Sequence, residues 1–247
     1  MTYKGRRKHS VRSKNNKRAH MVLRIVAVLC IGAFGFFRWG PLDNQNIDIA
    51  SLEIPEYAGQ PYEIINNNIP FFEEEDSTTE SFELYGELDY LGRCTTAFAN
   101  ISRELMPTEE RDAIGSIKPS GWKQAKYEGL IDSNPPYLYN RCHLIAFCLT
   151  AENTNERNLI TGTRYMNVEG MLPFELQVAK YLDEHDAHVL YRVTPFFDGD
   201  NLVADGVLME AYSVEDKGAG VCFCVYCYNV QPGVEIDYRT GGSRRAN

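Results

Sequence analysis

No acidic residue occurs in the first 40 positions, and that absence divides the chain into two unlike parts. All 34 Asp and Glu lie beyond position 40, whereas ten of the 25 Lys and Arg, from Lys4 to Arg38, lie before it. The remaining 15 basic and 34 acidic residues leave the rest of the chain at −19 with histidine neutral. Such a body is ill suited to tight, passive binding of nucleic acid, because contacts to phosphate supply most of that affinity. An enzyme needs only a local basic groove and rapid release. Internal repeats are absent, and so is any recognisable base-reading helix or zinc finger, so base-specific readout has no element to perform it. What is present is a globular composition, 44% apolar and 24% charged.

A long apolar run extends from Met21 to Trp39, interrupted by Arg24 and Arg38 near its ends. Nineteen residues at a helical rise of about 1.5 Å span roughly 28 Å, close to the hydrocarbon thickness of a bilayer. Both arginines can snorkel toward headgroups from those positions. Eight Lys and Arg in residues 1–20 predict a cytoplasmic tail there and an outward-facing body. The expectation is a single-pass signal-anchor over residues 21–39 with the folded part extracellular. Secretion after signal cleavage is the alternative; Ala33-Phe34-Gly35 offers a small-x-small site, but inside the apolar run.

Six cysteines follow that run, which suits an exported chain: Cys94, Cys142, Cys148, Cys222, Cys224 and Cys227. They allow 15 pairings, and sequence does not choose among them. Cys142 and Cys148 read as members of one strand, which would hold them roughly 20 Å apart, too far to bond. Cys222, Cys224 and Cys227 have the chemistry of zinc ligands, but they alternate like a buried strand and lack a fourth partner.

Residues 40–80 carry four prolines, the run Asn66-Asn67-Asn68 and the acidic cluster Glu73 to Asp76. They read as an extracellular spacer with room for a few docked residues. The folded domain is set at 81–240, followed by a short tail at 241–247. Strands are expected at Thr95–Ile101, Tyr137–Phe147, Asn158–Thr161, Val189–Phe197, Leu202–Val214, Val221–Val230 and Val234–Tyr238. Thr163–Glu184 reads as helix in two pieces, ended at Gly170 and restarted at Pro173, with Phe174, Val178, Tyr181 and Leu182 on one apolar face. The fold class is therefore α+β.

Chemistry concentrates between Tyr139 and Glu175. Arg141 and His143 are two apart on a strand and share a face. Hydrolysis of a phosphodiester needs a proton acceptor for the attacking water, and neutral imidazole serves near neutral pH. Charge then builds on the phosphate oxygens and leaving group, which a divalent cation held by few protein ligands and several waters can oppose. An asparagine carbonyl is a hard, uncharged ligand, Glu175 can hold a cation's water, and Arg141 can grip phosphate in bidentate fashion. Each residue also has an ordinary use: a packed histidine, an asparagine turn, a glutamate favoured by a helix N-terminus, a surface arginine.

At these residues the sequence resembles the DNA/RNA non-specific endonucleases of the ββα-metal (His-Me finger) superfamily, in particular a secreted and membrane-anchored Gram-positive branch. The likeness runs from about Tyr57 to Tyr238 and includes Pro119-Ser-Gly-Trp122, Tyr139-Asn-Arg-Cys-His-Leu-Ile145, Asn158-Leu-Ile-Thr-Gly-Thr-Arg-Tyr-Met-Asn167 and Asn229-Val-Gln-Pro-Gly-Val234. It implies a ββα nuclease core on an antiparallel sheet. It also implies His143 as general base, Asn167 as metal ligand, Asn158 as a second site asparagine, Glu175 ordering metal waters, and Arg141 on substrate. The cofactor implied is Mg²⁺, with Mn²⁺ as the alternative ion, and the partners are DNA and RNA bound through the phosphate backbone. Lys118, Lys123, Lys126, Arg157 and Arg164 are further candidates for backbone contact. Asn140 and Cys142 depart from the family's Asp-Arg-Gly-His; the first changes local charge and the second places a side chain where glycine leaves room. Two other classes compete: a degenerate member that binds nucleic acid or a surface partner without cutting, and an anchored envelope protein with a structural role.

Overall fold

A computed structural model describes residues 52–111 and 113–247. The basic tail, the apolar run at 21–39 and the first part of the expected spacer lie outside the described residues. Among the described residues no helix is long and apolar enough to cross a membrane.

Among the described residues ten strands form: β1 (Tyr62–Ile64), β2 (Phe82–Tyr85), β3 (Ala97–Ile101), β4 (Tyr139–His143), β5 (Leu159–Thr163), β6 (Val189–Phe196), β7 (Gly206–Ser213), β8 (Cys222–Tyr228), β9 (Val234–Asp237) and β10 (Gly242–Arg245). Two α-helices accompany them among these residues, α1 (Phe147–Thr150) and α2 (Leu172–Glu184), the second preceded by a π-helical segment, Met166–Met171. Six strands make one sheet in the order β1-β8-β7-β6-β3-β2, while β4–β5 and β9–β10 pair separately. Every strand pairing is antiparallel. The α+β expectation is met.

The long strands carry near-continuous apolar runs because both faces of the sheet are covered. On one face Tyr191, Val193, Val207, Met209, Phe223, Val225 and Cys227 pack with Cys142, Ile160, Met166, Val178 and Leu182 from the hairpin and the helix. On the other, Leu208, Cys224, Tyr226 and Tyr228 are roofed by Leu52, Ile54, Ile65 and Phe71. Each fully buried aliphatic or aromatic side chain contributes about 1.5–3 kcal/mol. The stretch read as a spacer is thus a cover for half the sheet from Leu52 onward, and its β1 closes one edge against β8 through Tyr62↔Cys227 and Ile64↔Val225. Its scattered apolar residues were the available signal, outweighed in the sequence by proline and asparagine.

Other boundaries shift for local reasons. The single strand expected over Tyr137–Phe147 ends at His143 and turns into α1 at Phe147, so Cys142 and Cys148 belong to different elements. Gly170 does not end a helix. The Leu172 N–H donates to Asn167 O, and the π-helical turn runs unbroken into α2 with Pro173 in its first turn. A methyl at Gly170 would lie 3.3 Å from Cys227 Cβ, so the missing side chain lets this turn sit on the sheet. The expected C-terminal tail instead supplies β10. All six cysteines among the described residues are unpaired thiols, and burial pushes Cys94 and Cys224 up to about 12. Among the described residues no His, Cys, Asp and Glu cluster suited to a metal occurs, and Cys222 to Cys227 form strand β8, as the alternation predicts.

Candidate active site

The hairpin β4–β5 sets His143 opposite Leu159 and Arg141 opposite Thr161, with Cys142 facing the core. Gly162 makes that last placement possible: a methyl there would come within 2.3 Å of Cys142 Sγ and 2.6 Å of Met166 Cε. Room for the cysteine is therefore provided from the neighbouring strand, and its side chain does not crowd the polar face. Thr163 then launches the helical segment. Its N–H donates to Asn229 Oδ1 (2.8 Å), its hydroxyl donates to Val230 O (2.6 Å), and the Met166 N–H donates to that hydroxyl (3.0 Å).

His143, Asn167 and Glu175 consequently line one cleft of about 870 Å³, together with Asn140, Arg141, Arg111 and Arg164. Three arginines and one carboxylate line it, so a locally basic groove exists within an acidic body. His143 is 7% exposed. Its Nε2 lies 3.1 Å from Asn153 O, an acceptor, which assigns the ring proton to Nε2 and leaves the Nδ1 lone pair free to accept. The Arg111 Nη2 group donates to that Nδ1 at 3.2 Å, and Arg111 Nε donates to Asn153 Oδ1 at 3.2 Å. Burial, with a smaller contribution from the Arg111 charge, lowers the imidazole to about 4, so it is neutral across the physiological range.

Arg111 was not singled out by the sequence, where it sits in a polar stretch 32 positions before the histidine; only the fold brings its guanidinium onto the ring. Arg141 lines the cleft and is also engaged within the protein. It donates to the carbonyls of Ile117 and Gly115 and stacks 4.2 Å from the Trp122 ring, so it fastens the 115–122 loop along the cleft wall. Asn158 is fully buried and off the cleft. Its Oδ1 accepts from the Ile145 N–H and its Nδ2 donates to Ile145 O, both at 2.9 Å. It is a positioning residue that pins the chain two residues beyond His143. Asn158→Ala would leave both Ile145 groups unsatisfied, about 1–3 kcal/mol each. Thermal unfolding should register that loss, while cation affinity stays within error. Arg164 lines the cleft. Arg157 instead pairs with Glu87 at 2.9 Å on the surface, and Lys118 and Lys123 are exposed outside the lining.

Asn167 is half-buried in the π-helical turn, and Glu175 is buried in the first turn of α2. Neither side chain hydrogen-bonds to another described residue. Burial pushes the Glu175 carboxyl up to about 8 against a small opposing pull from Arg111. Behind it Tyr191 Oη is buried without a partner among the described residues. The Asn167 amide and the Glu175 carboxyl thus face the cleft with no hydrogen-bond partner among the described residues. That deficit fits a hard, hydrated cation held by few protein ligands rather than a soft ion in a closed cage.

The sign of the Glu175 shift gives a test. Between its ordinary value of 4.5 and about 8 the folded protein binds the extra proton, so stability without cation falls as pH rises through that window. Glu175→Gln should flatten this decline, read as melting temperature against pH in chelator.

A family model described as DNA/RNA non-specific endonuclease matches residues 73–215. A curated protein named deoxyribonuclease from Streptococcus dysgalactiae subsp. equisimilis is 24% identical over 207 residues, covering 68% of this chain; the chain spans about 62% of that relative's length. Among solved structures, NucA from Streptococcus agalactiae with no metal bound superposes with a TM-score of 0.67 at 25% identity, covering 80% of this chain and 92% of NucA. The magnesium-bound form of NucA gives 0.65 at 24% identity, covering 76% and 91%. Sda1 nuclease with bound zinc ion shares the fold, with a TM-score of 0.62 at 22% identity and coverage of 76% and 97%.

Proposed function

Because the chain belongs to the DNA/RNA non-specific endonuclease family, we propose that it hydrolyses phosphodiester bonds of DNA and RNA as a metal-dependent endonuclease with a ββα-metal core. The observation that carries this reading is the shared cleft. A neutral imidazole whose Nδ1 lone pair accepts from Arg111 faces the same space as an unpartnered amide and a buried carboxyl, with Arg111, Arg141 and Arg164 along the cleft.

His143 Nδ1 takes the proton of the attacking water, and the Nε2–H bond to Asn153 O holds the ring in the required tautomer and orientation. The water oxygen bonds to phosphorus as the bond from phosphorus to the 3′ oxygen breaks, leaving 5′-phosphate and 3′-hydroxyl ends. Arg111 is the nearest cation to that Nδ1 and must exchange it for a phosphate oxygen when substrate arrives. The exchange clears the lone pair and removes one of the causes that depress the imidazole. Asn167 would hold Mg²⁺ or Mn²⁺ and Glu175 would order its water shell; when bound, the ion opposes the charge that builds on phosphate and leaving group. Contacts limited to phosphate carry no sequence information, so cutting is non-specific.

The proposed setting is the outer cell surface, with residues 21–39 as a single-pass anchor; this rests on the apolar run and its basic flank. Incubating the full chain with supercoiled plasmid and with RNA, in Mg²⁺ or Mn²⁺ and again in chelator, tests the enzyme. Cation-dependent nicking and linearisation are expected. Intact plasmid under both ions would leave the binding module as the better reading.

A further inference from the structure

The row of residues that delivers the base continues past the chemistry. His143, Arg141 and Tyr139 alternate along β4, Tyr137 follows beyond a bend at Leu138, and all four line the cleft. Six residues of fully extended chain would reach roughly 20 Å, so Tyr137 stands within that distance of His143. The four side chains differ in what is left free. Arg141 is spent on the Ile117 and Gly115 carbonyls and on Trp122, whose ring it covers. Tyr139 is buried and its hydroxyl donates to Gly241 O at 3.1 Å. Tyr137 alone of the row is an exposed large aromatic, 40% accessible. Its place is fixed by an antiparallel bridge to Lys126, whose Nζ lies over one face of the ring at 5.1 Å from the centroid, so a base would stack on the opposite face.

Resting on the endonuclease reading, we infer that Tyr137 is a stacking platform for one nucleobase of the bound strand, a few nucleotides from the bond that is cut, with Lys126 beside it for the adjoining phosphate. An aromatic ring stacks on any base, so the contact adds affinity without reading sequence. A base can offer its face only when it is out of a duplex stack. The platform therefore favours single-stranded or frayed nucleic acid over closed duplex, a preference that phosphate contacts by themselves would not create.

Binding is measured in the full chain carrying His143→Ala, in which cutting is slowed, with a fluorescent oligothymidylate and a closed DNA hairpin as probes. Stacking on an aromatic ring contributes about 1–3 kcal/mol per base, so Tyr137→Ala should weaken oligothymidylate roughly 5- to 150-fold. The hairpin should change by less than about 2-fold and the salt dependence of binding should stay the same, because no ionic contact is removed. Tyr137→Phe should restore affinity. Tyr90→Ala, which removes an 82% exposed ring outside the cleft, should have no effect. Equal losses on both probes, no loss on either, or failure of the phenylalanine to rescue would overturn the platform. A chain that binds oligothymidylate through Tyr137 yet cuts nothing overturns the endonuclease reading and leaves the platform standing. One that cuts without any dependence on Tyr137 does the reverse.

Discussion

His143→Ala is expected to lower kcat on plasmid DNA by about 10²- to 10⁴-fold while leaving the fold intact, the range set by removing a positioned general base. The ring is held by Asn153 O on one side and Arg111 on the other, so both of its nitrogens are already assigned. Alanine removes the lone pair that accepts the water's proton and leaves the cleft's remaining groups in place. A structural role predicts a different pattern, in which melting temperature falls and residual activity follows the folded fraction. Stopped-time cleavage beside thermal unfolding separates the two. Unchanged kcat would remove His143 from the chemistry, and with it the proposed mechanism. The pH profile adds an independent mark: with the imidazole lowered to about 4, the acid limb of kcat/KM should lie well below the ordinary histidine range. Activity lost on acidification through pH 6.5 would contradict the assignment of that limb to a buried, neutral imidazole.

The second large effect is on stability. Arg192 and Glu210 face each other across β6 and β7, at 6% and 0% side-chain exposure. Arg192 Nε donates to Glu210 Oε2 at 2.7 Å and Nη2 donates to Oε1 at 3.0 Å. The same pair takes the Phe71 N–H at 2.7 Å and gives a bond to Phe71 O at 3.1 Å, with Phe72 stacked 4.9 Å from the guanidinium. It therefore clamps the N-terminal cover onto the sheet. Glu210→Ala leaves a buried guanidinium without its counter-charge, which costs about 3–5 kcal/mol. At about 2–4 °C per kcal/mol for a domain of this size, melting should fall by roughly 6–20 °C. Replacing both residues with leucine or methionine should recover much of the loss, since the penalty comes from the unpaired charge more than from the missing bonds. A single variant that melts like the wild type would show that the cover is not held by this clamp.

Within the site, legibility in the sequence followed chain distance. Arg141, His143, Asn167 and Glu175 occupy one 35-residue stretch with strand and helix periodicity, and the structure brings all four to one cleft. Arg111 lies in a polar loop whose local pattern carries no hint of a partner, and its position on Nδ1 exists only once β4 is laid beside that loop. Asn158 and Arg141 are expected, through the family resemblance, to position the site and its substrate. What each holds in the fold is backbone: Asn158 satisfies both polar groups of buried Ile145, and Arg141 donates to the Gly115 and Ile117 carbonyls, partners that no local pattern announces.

The sequence alone determined the division into a basic, apolar start and an acidic folded body, the α+β character and the placing of an imidazole, an amide and a carboxyl on one strand–strand–helix unit. These are local matters of charge, period and spacing, which the chain carries without reference to distant residues. Tertiary structure decided that residues 52–76 roof the sheet, that Gly162 makes room for Cys142, that Arg111 rests on the His143 ring, and which cations reach the cleft. Each depends on contacts between segments tens of residues apart, where packing and buried hydrogen-bond demand outweigh the preferences of the residues themselves.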